Sequence, residues 1–210
     1  MPAPITHIVF AEKILKELWT DKNRQDFLIG TSLPDFRYID NLDRQITHLQ
    51  GLKIEEIKKE KSFRSGFLFH SLLDELWIDF YLKQPDYPFV LEPKHLTGMS
   101  LKFLEDEIYY QWLGGWPEIA GFFGKVLPEE LVISDSSSFK EIKVWHGALA
   151  DYFSQAPNEE SRRRFLRFSE INDDLAANLN QFIVNLRRNQ RALEMIGEFY
   201  DYFRRRLGLG

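Results

Sequence analysis

The 210-residue chain contains no cysteine. Disulfides, thiolate nucleophiles and sulfur-ligated zinc are thereby excluded, and any metal must be held through nitrogen and oxygen. There is no run of about eighteen apolar residues, the length a membrane-spanning helix needs. The opening residues, Met1-Pro2-Ala3-Pro4-Ile5-Thr6-His7, carry neither the basic start nor the apolar core of a secretory signal, so the expected location is cytoplasmic. Excess positive charge is missing as well, with 27 Lys and Arg against 32 Asp and Glu and a net charge of -5. That balance speaks against a surface built throughout for nucleic acid or anionic lipid, and no stable nucleic-acid complex is expected. Histidine is scarce, five residues in all, so where each one falls carries information.

Apolar residues, in contrast, are plentiful. At 44% hydrophobic and 15% aromatic, the chain can bury a sizeable core, and a single domain over residues 1–210 is expected, its metal-site half being 1–82 and its helical remainder 93–207. Thr6 is a candidate N-cap for a helix running through Trp19, with His7, Phe10, Ala11, Ile14 and Leu18 on one face. Gly30-Thr31-Ser32-Leu33-Pro34-Asp35 reads as the break after a second short helix. Pro34 is expected to push Leu33 out of helical geometry and leave Asp35 in a loop. Residues 37–50 read as irregular or weakly helical, 53–61 as a charged, solvated helix, and 62–82 as a buried helix ended by the turn Gln84-Pro85-Asp86-Tyr87-Pro88. A helix over 93–112 has an acidic middle, Glu105, Asp106 and Glu107, expected to be a solvated face. After Gly114-Gly115-Trp116-Pro117 come short segments, a helix over 139–153, another from Asn158, and a periodic stretch from Glu170 towards Arg206. Only 88–91 and 131–133 are ambiguous with strands. The class is all-α, a multi-helix bundle around one central buried helix.

That central helix carries His70 and Asp74 in an H-x-x-x-D arrangement within a segment too apolar to lie on the surface. Residues four apart share a helix face. A buried carboxylate is costly unless paired, hydrogen-bonded or ligated, and imidazole with carboxylate suits a borderline divalent cation. His7, Asp35 and His48 lie in similarly apolar neighbourhoods. Each has an ordinary explanation taken alone, including an ion pair of Asp74 with Arg37 or Arg64. Together, Asp35, His48, His70 and Asp74 suffice to close a first coordination shell while leaving a place for water.

The order of these pieces resembles the zinc-dependent phospholipase C family, related to the single-strand-specific zinc nucleases. The matching fragments are Thr6-His7 with Ala11, then Phe27-Leu28-Ile29-Gly30 running into Leu33-Pro34-Asp35, then Thr47-His48, and finally Phe63, Gly66, His70, Asp74 and Trp77 at family spacing. The likeness covers roughly residues 1–82. It implies an α-helical fold in which Asp35, His48, His70 and Asp74 bind a divalent metal and His7 reaches a neighbouring ion. The family also uses an N-terminal tryptophan and a second cluster with an H-x-x-x-E helix, neither of which is matched here. His95 and His146 are read as structural, and one divalent ion, or two at most, is expected: zinc first, with manganese, iron or nickel as alternatives.

A cation so held would activate a water and polarise a phosphoryl oxygen. The expected activity is therefore hydrolysis of a small-molecule or lipid phosphoester, with Asp35 and Arg37 as the catalytic candidates. Arg37, two residues beyond Asp35 in a segment read as extended, would return to the same side; a salt bridge to Asp40 or Asp43 is its plainer role, and Tyr38 is a weaker candidate. The competing reading is a non-catalytic helical metal-binding protein acting through a partner or ligand. A phosphohydrolase of the HD type is disfavoured because no His-Asp dipeptide occurs. The arginine runs at 162–167, 187–191 and 204–206 read as solvated faces. Trp112, Trp116, Phe122 and Phe123 are candidates for an apolar pocket wall.

Overall fold

The computed structural model describes residues 3–40, 42–87, 94–133, 139–169 and 171–209; the side chains of Tyr38, Asp40, Ser169 and residues 94–97 fall outside the description. The segment 88–91 and the side chain of His95 therefore lie outside the described residues. In chain order the helices are α1 (Pro4–Glu17), α2 (Arg24–Ser32), a 3-10 turn (Pro34–Phe36), α3 (Arg37–Asp40), α4 (Arg44–Thr47), α5 (Ile54–Lys59), α6 (Ser62–Tyr81) and α7 (Lys94–Tyr110). They continue with α8 (Trp116–Phe122), α9 (Pro128–Ile133), α10 (Phe139–Phe153), α11 (Glu159–Leu166), a 3-10 turn (Arg167–Ser169), α12 (Asp173–Leu186) and α13 (Gln190–Leu207). No strand occurs among the described residues, and the ambiguous 131–133 is helical. The molecule is an all-α domain, and none of its described helices is long and apolar enough to cross a membrane.

The central helix is α6, buried on nearly every side: Phe67, Phe69, Leu73 and Tyr81 have no exposed surface. It crosses α2 at unusually short range because glycine stands on both sides of the crossing. A Cβ added to Gly66 would lie 2.0 Å from the carbonyl oxygen of Phe27, and one added to Gly30 would lie 2.1 Å from that of Phe63. Only glycine allows backbones to approach so closely. On another side of α6, the C-terminal helix α13 supplies Phe199 and Phe203, which meet Phe10 of α1 at ring separations of 5.3 and 4.5 Å. Helix α13 is not one piece with the preceding α12. Asn189 accepts from the amide of Ala192 at 3.1 Å and starts a new helix, which divides the periodic stretch after Glu170.

Helix α1 begins earlier than expected. Its N-cap is Ala3, which offers no side-chain acceptor, and Thr6 is already inside the first turn. The acceptor comes from α7 instead. Asp106 takes the amides of Ile5 and Thr6 at 3.3 and 2.7 Å, the Thr6 hydroxyl at 2.8 Å and the Tyr152 hydroxyl at 3.2 Å. A carboxylate at a helix N-terminus satisfies orphaned amides and complements the dipole. Glu105 beside it accepts from the Trp77 indole at 2.9 Å and the Tyr81 hydroxyl at 2.6 Å. Both carboxyls are fully buried, so the acidic middle of α7 is not a solvated face; only Glu107 meets arginines, Arg162 and Arg187. Arg162 is itself buried, unlike Arg163 and Arg164, which pair at the surface with Glu159 and Glu160.

Candidate metal centre

Four segments bring the five expected side chains together. His7 comes from the first turn of α1, Asp35 from the 3-10 turn, His48 from the residue that ends α4, and His70 and Asp74 from the middle of α6. All five are buried, none more than 7% exposed. Asp35 is not in a loop. Leu33 keeps helical geometry (φ -70, ψ -37), so α2 passes directly into the 3-10 turn. The ordinary penalty on the residue before proline is met here by burial of Leu33 and Phe36 in the core.

The imidazoles are fixed through their Nδ1 atoms. His70 Nδ1 lies 2.8 Å from the carbonyl oxygen of Thr31, and His7 Nδ1 lies 3.2 Å from that of Ala3. A carbonyl only accepts, so each Nδ1 carries the proton and each Nε2 of a neutral ring presents a lone pair. His48 Nδ1 stands 2.8 Å from the Thr47 hydroxyl oxygen, whose proton is directed at the Arg44 carbonyl at 3.3 Å. His48 Nδ1 then donates to Thr47; alternatively the Thr47 hydroxyl donates to Nδ1, and His48 carries its proton on Nε2, 3.2 Å from His70 Nε2. His7 lies flat on His70, with ring centroids 3.8 Å apart, and His48 meets His70 edge-on at 5.0 Å.

What these rings face is acceptors. His48 Nε2 is 3.2 Å from His70 Nε2, 3.4 Å from Asp74 Oδ2 and 3.7 Å from Asp35 Oδ1. His70 Nε2 is 3.9 Å from both Asp35 Oδ1 and Asp74 Oδ2, and His7 Nε2 is 3.5 Å from Asp74 Oδ1. These nitrogen–oxygen separations are too long for hydrogen bonds. His7 Nε2, Asp35 Oδ1 and both oxygens of Asp74 are buried with no hydrogen-bond partner. Buried acceptors without donors are rare and costly. Were His48 instead to carry its proton on Nε2, it could satisfy His70, and Asp35 Oδ1 and Asp74 Oδ1 would remain without hydrogen-bond donors, with only the Arg44 guanidinium, at 3.5 Å, beside Asp74 Oδ2. The three shortest separations, 3.2–3.5 Å, lie close to the ~3.3–3.4 Å edge of a tetrahedral shell built on metal–nitrogen bonds of ~2.0–2.1 Å, and those of 3.7–3.9 Å exceed it. Two sets, His7 with His70 and Asp74, and Asp35 with His48 and His70, are each arranged so that they could hold a metal ion, with His70 common to both; the four ligands expected to share one shell are divided between them.

Charge agrees with this arrangement. Burial, reinforced by His7, pushes His70 down to about 3, leaving the ring neutral at neutral pH. Burial alone would raise the carboxyls of Asp35 and Asp74, and both are held below the usual range only to the extent that positive charge stands among the facing rings. Neutral imidazoles with ionised carboxylates are the protonation states that ligation requires.

A groove and a small void adjoin the cluster. A groove of about 470 Å³ is lined by His48 and Asp74 together with Arg44, Leu49, Ile78 and Leu82. A far smaller cavity of about 10 Å³ touches His7, Asp35 and His70 from the inner side, closed by Trp145 and Leu149. Trp145 is held there by its indole, which donates to the Ser32 carbonyl at 3.1 Å.

Other expectations change. The partner of Asp74 is Arg44, with Nη2 at 3.5 Å from Oδ2, rather than Arg37 or Arg64; Arg64 lies over the Phe67 ring. Arg37 begins α3, and in helical backbone residues two apart do not share a face. Its expected return beside Asp35 loses its basis, and Arg37 does not line the groove. Trp116 and Phe123 are core residues packed on Phe153, and Trp112 lies at the surface beside Tyr200, so they form no wall of this site. His146 pairs with buried Glu130 at 2.7 Å, away from the cluster. Arg44 follows Asp43 in sequence, within a stretch that offers no periodicity, and no sequence signal singled it out. Comparison with family models, curated proteins and solved structures finds no match to this chain.

Proposed function

We propose that this protein is a divalent-metal-dependent hydrolase acting on phosphoesters, with Asp35, His48, His70 and Asp74 holding the cation and His7 supporting it or a second one. The observation that carries this reading is the convergence of imidazole Nε2 atoms with carboxylate oxygens that no hydrogen bond satisfies in one buried cluster, the His7 and His70 rings each turned by an Nδ1–H to a backbone carbonyl. Such outer hydrogen bonds fix tautomer and orientation in metal-ligating histidines. The resemblance of the motif order in residues 1–82 to the zinc-dependent phospholipase C family supports the same reading, and zinc suits the nitrogen and oxygen donors. A bound cation would supply a water of lowered pKa and polarise a phosphoryl oxygen.

The chain's own groups divide the work by position. His48 and Asp74 line the groove and so face substrate. Asp35 faces the inner cavity, which suits it to neutralising and ligating the cation rather than to taking a proton from a groove-bound substrate. The groove is large enough for a small phosphoester, within the usual ~300–1,000 Å³ of ligand sites.

The test is elemental analysis of protein purified without added metal, followed by hydrolysis of bis(p-nitrophenyl) phosphate and p-nitrophenyl phosphate. One or two zinc or similar ions per chain, with turnover that falls to background in His70→Ala and Asp74→Ala, is the expected result. Absence of metal from folded protein, even after addition of zinc, would remove the reading. Metal without turnover of any phosphoester would favour a non-catalytic metal-binding role, for which the lack of a further ligand cluster among the described residues speaks.

A further inference from the structure

Arg44 is placed where an anion bound in the groove would meet it. It opens α4, whose N-cap Asp43 accepts from the amide of Gln45 at 2.9 Å. The chain after α4 is tied to α6, since the Leu49 amide donates to Ser71 Oγ at 3.2 Å and the Gly51 amide donates to Glu75 Oε1 at 2.7 Å. Gly51 takes a positive φ of 70, which allows that turn. These ties hold Arg44 over the face of α6 that carries Asp74. Its guanidinium reaches Asp74 Oδ2, the same oxygen that lies 3.4 Å from His48 Nε2 and 3.9 Å from His70 Nε2. Its side chain is 43% exposed and lines the groove.

We infer that Arg44 is the oxyanion-binding residue of the groove, taking a phosphate-type tetrahedral anion between its guanidinium and the groove edge of the His48–His70–Asp74 cluster. The inference rests on the metal-centre reading above. A planar guanidinium can donate two parallel hydrogen bonds to a phosphate group, which a lysine ammonium cannot copy. Lys83, the other Lys or Arg lining the groove, is more exposed than Arg44, 71% against 43%, and touches no member of the cluster. Anion and cation should bind with reciprocal coupling, each tightening the other.

The test uses cobalt(II)-substituted full-length protein titrated with inorganic phosphate, read by the visible absorption of the cobalt. Arg44→Ala should still take up cobalt and, measured against its own phosphate-free spectrum, bind phosphate about 10–100-fold more weakly. Arg44→Lys should recover part of that loss, and Lys83→Ala should stay within about twofold of wild type, as expected for an exposed charge. Wild-type phosphate affinity in Arg44→Ala, or an equal loss in Lys83→Ala, would overturn the assignment while leaving the metal centre standing. A wild-type chain that takes up no cobalt would overturn the metal centre itself, and this inference with it.

Discussion

The glycine pair at the crossing of α2 and α6 makes the most exacting test of the fold, because a single methyl group there has nowhere to go. In Gly66→Ala the new Cβ would sit 2.0 Å from the Phe27 carbonyl oxygen, 2.9 Å from its carbon and 3.0 Å from the Thr31 nitrogen, where ordinary contact begins at 3.4 Å. The offending atoms are backbone inside a helix, so no rotamer change relieves them. The helices must separate by on the order of 1 Å, which loosens the packing of Phe27, Phe67 and Phe69 along the seam. Overpacking typically costs ~1–3 kcal/mol, and with rigid backbone on both sides we expect ~3 kcal/mol or more. For a chain of this size that corresponds to a fall in Tm of ~6–12 °C. The same displacement moves the Thr31 carbonyl from its 2.8 Å contact with His70 Nδ1, so metal affinity should fall ~10–100-fold. Gly147→Ala and Gly197→Ala are the controls. Both positions lie in helix interiors with nothing within 4 Å of an added Cβ, and both should gain ~0.5–1 kcal/mol from helix propensity. Thermal unfolding followed by circular dichroism measures all three. Equal Tm values for Gly66→Ala and the controls would mean that the two helices do not approach as described.

Glu105 provides a pH test. Burial pushes its carboxyl up to about 8, above its unfolded value near ~4.3, so the folded state binds more protons between the two and stability falls as pH rises through that window. Chemical denaturation from pH 5 to 8.5 should show the Glu105→Gln variant losing less stability than wild type, by up to ~1.4 kcal/mol per pH unit; parallel profiles would rule the shift out. Asp106→Ala leaves the amides of Ile5 and Thr6 and two hydroxyls without their acceptor, with an expected loss of ~2–4 kcal/mol and reduced metal affinity through His7. An Asp106→Ala protein as stable as wild type would show that the clasp contributes nothing. His70 titrates in the opposite sense to Glu105. With a folded value of about 3 against an unfolded one near ~6.5, it takes up a proton only in the unfolded chain between those values. Stability should therefore decline as pH falls below ~6.5, and a His70→Gln variant should decline less over the same range in urea titrations.

How much of this was legible in the chain depends on how local each feature is. His70 and Asp74 were readable as one buried face because both lie on a single helix and its flanking residues are apolar throughout. His7 was legible for the same reason, since Phe10, Ala11 and Ile14 share its face and none of them is exposed. Asp106 was misjudged because its four donors come from α1 and α10, 46 to 101 residues away. An acidic run on a helix looks solvated when its partners are that distant. The helical geometry of Leu33 was hidden for a related reason, as proline sterics argue one way locally and core packing of Leu33 and Phe36 argues the other. Arg44 sits in a segment too short for periodicity to speak, and its role comes only from the loop ties that set α4 over α6.

The donor cluster itself is a cost to the fold, and the surrounding structure shows how it is sustained. Lone pairs from imidazoles and carboxylates packed at 3.2–3.9 Å oppose folding, and the half-exposed Arg44 guanidinium, 3.5 Å from Asp74 Oδ2, offsets this only at the cluster's edge. Each histidine is nevertheless held from behind, His7 by the carbonyl of Ala3 in the turn before α1 and His70 by the Thr31 carbonyl of α2. Those carbonyls are in turn set by long-range features, the Asp106 clasp on α1 and the Gly30–Gly66 crossing on α2. Nothing about core packing alone requires such outer supports, since replacing the cluster with apolar side chains of similar size would relieve the same conflict at no loss. Acceptors held rigidly, His7, His70 and Asp74 on helices, Asp35 on a 3-10 turn and His48 at the end of α4, are what a preorganised cation site demands. The destabilisation they impose should be offset by ligand binding: zinc at 100 times its Kd would add ~2.7 kcal/mol of stability. If the cluster serves a cation, added zinc should raise the Tm of wild type and leave that of His70→Ala and Asp74→Ala in place. An equal response in all three would place the binding elsewhere on the molecule.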